Sequence, residues 1–133
     1  MSKQENKNPF VIDMNISMEG LQNIPSGMEP AELFMNVAIN SIVSVGKKNG
    51  GLRMEEHSKL KRIRDDMQNA IKVKEDKVQL EYDDYKFLMK CWNEHMPDPQ
   101  TNELVIRVWE KLKQAQSGHD KGKNDEKETR NEN

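Results

Sequence analysis

The chain has 133 residues, with 21 Lys or Arg, 23 Asp or Glu and one cysteine, for a formal net charge of −2. That balance removes the argument for nonspecific nucleic-acid binding that a net basic domain would carry. Cys91 has no partner for an internal disulfide, and no run approaches the about 20 apolar residues of a membrane span.

The opening segment, Met1 to Asn8, has no apolar residue after the initial methionine. It buries nothing that would offset the entropy of ordering, so residues 1–8 read as a disordered tail. It also lacks the apolar core of a secretory signal, which places the expected location in a bacterial or host cytoplasm. Phe10 to Ile16 is rich in β-branched residues, and Ile12, Met14 and Ile16 alternate, which predicts a short strand. Turn residues flank Leu21 to Ile24, at Glu19-Gly20 and Pro25-Ser26-Gly27, and allow a short hairpin here.

Pro30 suits the first position of a helix, where its missing N–H costs nothing. Phe34, Val37, Ala38, Ile42 and Val45 then repeat at helical spacing, with Leu33, Met35, Ile39 and Val43 widening the face. A helix this apolar is expected to be the central one, ended by Gly46 and followed by a flexible loop over Lys47 to Gly51. A second helix is predicted from Met54 to Val73 on Leu60, Ile63, Met67, Ala70 and Ile71, with acids near its start and lysines near its end. Lys74 to Lys77 reads as a charged turn. Val78 to Leu80 is extended and able to pair with the N-terminal strand.

Tyr85, Leu88, Met89, Trp92 and Met96 predict a third helix that stops before Pro97. Thr101 or Asn102 can cap a fourth, carried by Leu104, Val108, Leu112 and Ala115 to about Gln116. From Ser117 to Asn133 no apolar residue occurs, so 117–133 is expected to be a disordered charged tail. The fold class that follows is mainly α: a single four-helix domain over 9–116 with a short N-terminal β-pairing.

The clusters that could carry chemistry are few. Lys59, Lys61, Arg62 and Arg64, with Arg53 upstream, can contact phosphate and would form a nucleic-acid-binding helix. At about 100° per residue, however, Lys59 and Arg62 lie on one flank of the apolar stripe and Lys61 and Arg64 on the other. Acidic neighbours dilute the field, no aromatics interleave for base stacking, and a solvated helix face is the simpler reading. Cys91 and His95 stand at i, i+4, a spacing able to place two metal ligands on one face, but no CxxC, HxxxH or HExxH pattern supports them. Cys91 reads instead as a small, partly buried side chain beside a solvated His. Asp65-Asp66 and Asp83-Asp84 are adjacent pairs whose side chains diverge on a helix, so they read as helix-start or solvated charges. No Gly-rich phosphate loop or GxSxG elbow occurs. No catalytic, cofactor-binding or metal residue is assigned, and the expectation is a protein that is not an enzyme.

The remaining candidates are soft and apolar: nine Met residues, Trp92 and Trp109. Met adapts to irregular surfaces and Trp is favoured at interface hot spots. Trp92 lies on its stripe and is expected in the core. Trp109 lies beside its stripe, so Trp109 and Met96 are the candidate partner-binding residues.

The order of these elements, with "KVQLEYDDYKFLMKCW" and "VIRVWEKL", is similar to that of small helical proteins encoded in bacteriophage and prophage genomes. In that group an extended valine-x-leucine precedes an acidic helix start, as Val78, Leu80, Asp83 and Asp84 do here. The resemblance covers about Phe10 to Leu112 and rests on apolar positions; it transfers no active site. It implies a phage or prophage origin; the expected function is a non-enzymatic protein-interaction module, an assembly factor or an inhibitor or regulator of a host protein. Its partner would be another protein or a second copy, with nucleic acid as the alternative.

Overall fold

The computed structural model describes residues 8–22, 24, 26–95 and 102–132, with side chains up to 119. The elements run β1 (Phe10–Asp13), α1 (Pro30–Lys48), α2 (Met54–Lys72), β2 (Lys77–Leu80), α3 (Tyr82–His95) and α4 (Glu103–Glu132). The mainly helical fold with a small strand pairing is therefore the observed one.

β1 pairs antiparallel with β2, Phe10 opposite Leu80 and Ile12 opposite Val78. Period-two alternation sends those four side chains inward, while Val11 and Asp13 point out. The alternation continues past the strand, and Met14 and Ile16 are buried too. The strand itself stops at Asp13 because its partner stops at Lys77, where Met14 N–H donates to the Asp76 carbonyl. The hairpin over Leu21 to Ile24 does not form among the described residues. Gly20, at φ +80°, turns the chain instead, with Leu21 N–H donating to Met18 O, and β2 takes the place of a local partner strand.

α1 contributes eight buried residues, against six from α3 and three from α2, so it supplies the largest helical share of the core. α1 packs mainly on α3 and α2, and α4 lies across β1. Phe34, Ile42, Ile63, Met67, Tyr85, Leu88, Trp92 and Leu112 meet in one cluster, each contributing about 1.5–3 kcal/mol on burial. Asn36, Asn40 and Lys47 form the exposed side of α1, and Met35, Val37, Ile39 and Val43 on its flanks stay half-buried.

The helix ends follow local rules. Glu32 accepts the Glu29 N–H at 3.0 Å and Glu56 accepts the Arg53 N–H at 2.8 Å, each satisfying a donor at a helix start. Asn102 Oδ1 accepts from Leu104 and Val105 N–H, making it the cap of α4. α1 and α2 both close on six-to-one and five-to-two bonds: Gly51 N–H to Gly46 O and Gly50 N–H to Lys47 O in α1, Glu75 N–H to Ala70 O and Lys74 N–H to Ile71 O in α2. Gly50 sits at the left-handed position of the first, φ +83°, but Lys74 holds that position in the second at φ +62°.

Two expectations need correction. Gly46 does not end α1; the helix passes through it to Lys48. Gly46 is there because a Cβ would lie 2.9 Å from Leu52 Cγ, so its missing side chain lets the following loop pack close. The fourth helix, expected to end at about Gln116, also runs further, since the α4 backbone continues to Glu132. The apolar stripe ends at Ala115, but His119, one turn later, stacks on Phe10 with ring centroids 4.0 Å apart. An imidazole carries no apolar periodicity, so the stripe alone understates the helix. Residues 1–7 of the expected N-terminal tail lie outside the described residues.

Candidate interaction surface

The basic residues of α2 are placed mostly against acids of this chain. Arg62 Nε and Nη2 donate to Asp84 Oδ2 and Oδ1 at 3.0 and 2.8 Å, a bidentate pair between α2 and α3. Lys61 bonds Asp65 at 2.8 Å, and Lys59 lies 3.8 Å from Glu55 and over the Phe87 ring. Arg64 is exposed on the opposite flank from Lys59. The structure does bring Arg53 and Lys59 together, in a cleft of about 340 Å³ between α2 and α3 that Lys86 and Lys90 also line. Glu55, Glu56 and Asp83 stand among those cations and Phe87 forms its floor, so the cleft carries charges of both signs. Lys61, Arg62 and Arg64 are not part of it. A polyanion would meet carboxylates along this cleft, whereas a protein segment of mixed charge would not be repelled by either sign.

Asp84 corrects the solvated reading of the acidic pairs. It is 0% exposed, in the first turn of α3, where the helix dipole favours an anion and Arg62 closes over it. The guanidinium in turn has its pKa raised, first by the hydrogen bond to Asp84. Nearby Asp66 is pushed above the usual carboxylate range, first by burial and then by the charges of Asp84, Glu81 and Asp65. Sequence reasoning missed this pair because its members are 22 residues apart and belong to different helices. Only the position of Asp84 on the buried side of α3, beside Tyr85 and Leu88, could have signalled it.

Cys91 is buried, and burial, followed by the charges of Glu94 and Glu56, pushes its thiol up to about 11. A thiol held that high is a poor nucleophile and a poor metal ligand at neutral pH. It reaches the wall of a cavity of about 300 Å³ beside Val45, Leu52 and Phe87. Among the described residues no group of three or more His, Cys, Asp or Glu is arranged to hold a metal ion.

Trp92 is in the core, at 2% exposure. Trp109 is 39% exposed, one position around α4 from buried Val108. The neighbouring flank of α4 is occupied: Arg107 Nη1 donates to the Ser17 carbonyl at 2.6 Å and Lys111 pairs with Asp13 at 3.3 Å. Those contacts hold the N-terminal segment against α4 and leave the Trp109 side open. Lys113 Nζ lies 4.0 Å from the indole centroid, and half-buried Ile106 stands one turn before it. The result is a small apolar surface with a cation at its edge. Met96, the other candidate anchor, lies outside the described residues.

The chain is thus a small, mainly helical single domain, and no described helix is long and apolar enough to cross a membrane. No protein-family model matches it, and no curated protein or solved structure is found to be similar to it.

Proposed function

We propose that this chain is a non-enzymatic protein-interaction module, of the kind encoded by phages and prophages and acting in the cytoplasm. It docks onto another protein as an assembly factor or as an inhibitor of a host component. The observation that carries this reading is Trp109, an indole 39% exposed beside Ile106 and Lys113, on the side of α4 that the N-terminal segment leaves uncovered. An aromatic ring with an apolar body and a polar N–H is the residue type that most often anchors an interface. The internal pairing of Arg62, Lys61 and Lys59 supports a protein partner over nucleic acid, because those charges already have acidic neighbours. The phage assignment rests on the resemblance of element order and apolar pattern described above.

The test compares the wild-type chain with Trp109→Ala, each immobilised in bacterial lysate, alongside urea denaturation of both. Loss of an anchor of about 2 kcal/mol weakens capture of a partner about 30-fold, while a surface change alters stability by only about 0.5 kcal/mol. A variant that loses stability and keeps its partner overturns the anchor. Duplex DNA binding that is tight at about 50 mM salt and collapses near 200 mM would transfer the function to the basic residues.

A further inference from the structure

We propose that His119 is the clasp of a strap: the distal part of α4 and the aromatic cover of β1 open and close as one unit. Phe10 is sandwiched. Tyr85 of α3 stacks on one face at 3.8 Å and 10°, and His119 on the other at 4.0 Å and 10°. The circuit closes on α4 itself, because the Tyr85 hydroxyl donates to the Leu112 carbonyl at 2.7 Å, two turns before His119. His119 Nε2 lies 3.1 Å from the Asn8 carbonyl, which can only accept, so this nitrogen carries the proton and donates it. One side chain therefore holds both the backbone and the ring at the start of β1.

Past Ala115 the described part of α4 has no fully buried apolar side chain. Gln116 to Asn133 contain no apolar residue, and a helical segment with no apolar side chain to bury has low local stability and is prone to sub-global opening. When it opens, the imidazole leaves Phe10, and a ring that is 1% exposed gains a bare face. The strap thus controls a second apolar patch, separate from Trp109, whose exposure depends on release of the charged end of the chain. This device is independent of the identity of any partner.

Amide hydrogen exchange on the full chain tests the coupling, with wild type, His119→Ala, His119→Phe and Lys113→Ala compared. Loss of one ring stack and one hydrogen bond predicts exchange about tenfold faster in His119→Ala, both in β1 and in α4 beyond Ala115. α2 should be unchanged. His119→Phe restores the stack without the hydrogen bond and should recover most of the β1 protection; Lys113→Ala should alter neither segment. Faster exchange in distal α4 with β1 unchanged overturns the proposal, as does no change in either. An equal rise in α2 also overturns it, because the effect would then be global unfolding and not a local strap.

Discussion

The Arg62–Asp84 pair predicts an asymmetry between its two alanine variants. The carboxylate is 0% exposed while the Arg62 side chain is 47% exposed, so the two ends differ in what they lose when the partner is removed. At a charge separation of about 4 Å and an effective dielectric of about 20, the gross attraction is about 4 kcal/mol, most of it offset by desolvation of Asp84. Arg62→Ala strands a buried carboxylate. Breaking a buried pair in this way costs about 3–5 kcal/mol, and the low end, about 3 kcal/mol, applies because the space left by a half-exposed arginine admits water. Asp84→Ala leaves a guanidinium that turns into solvent, losing about 1 kcal/mol of hydrogen bonding and about 0.5 kcal/mol of helix-dipole interaction. The expected gap is about 1.5 kcal/mol, with Arg62→Ala the worse. Urea denaturation measures it as a shift in midpoint at constant slope. A double variant, Arg62→Met with Asp84→Leu, should return to within about 1 kcal/mol of wild type, since a well-packed apolar pair replaces a partly desolvated ionic one. If Asp84→Ala proves as damaging as Arg62→Ala, the burial argument fails. If the double variant is worse than both, the pair has a packing role that this reasoning omits.

Lys74, at φ +62° in the closing motif of α2, should give way to glycine: Lys74→Gly relieves the left-handed strain and stabilises by about 0.5–1 kcal/mol. Lys74→Ala should yield no such gain, and equal midpoints for the two in urea would show that the backbone is not strained there. Cys91 should resist iodoacetamide at pH 8 in the folded chain and react promptly in urea, because burial holds its thiol up to about 11. The folded value lies above the unfolded one of about 8.5, so the associated stability is complete below that pH and is lost as pH rises toward 11. A melting temperature flat from pH 8 to 10.5, with Cys91→Ser as the control, would contradict it.

The parts of this fold that were legible in the sequence are those fixed by short-range periodicity. Ile12, Met14 and Ile16 alternate and are all buried; Ile63 and Met67 recur at helical spacing and enter the core; Asn102 caps α4 with its own side chain. The parts that were not legible depend on a second segment. Gly46 looks like a stop signal because glycine usually is one, yet its role is set by Leu52, a residue of the loop that follows. Lys74 occupies a position that glycine normally marks, so the end of α2 carries no glycine signal at all. Asp84 reads as a helix-start charge or a solvated group; it is the former, in the first turn of α3, but its burial under Arg62 is set by another helix.

The candidate surface divides in the same way. The position of Trp109 one step off its stripe left it either widening the buried face or projecting partly outward, since a rotation of about 100° carries a side chain from the middle of a buried face to its edge. Which edge stays open was not readable from α4 alone, because it depends on where another segment lies. The N-terminal segment decides it: Ser17 and Asp13 take Arg107 and Lys111, and the indole is left on the other side. His119 shows the converse. A charged, glycine-containing run gives no periodic reason to continue a helix, but one imidazole placed a turn beyond Ala115 reaches Phe10. The same N-terminal segment thus occupies one flank of α4 through Ser17 and Asp13 and meets it again at His119 through Asn8 and Phe10. Trp109 and His119 therefore lie on one helix that the N-terminal segment contacts in two places.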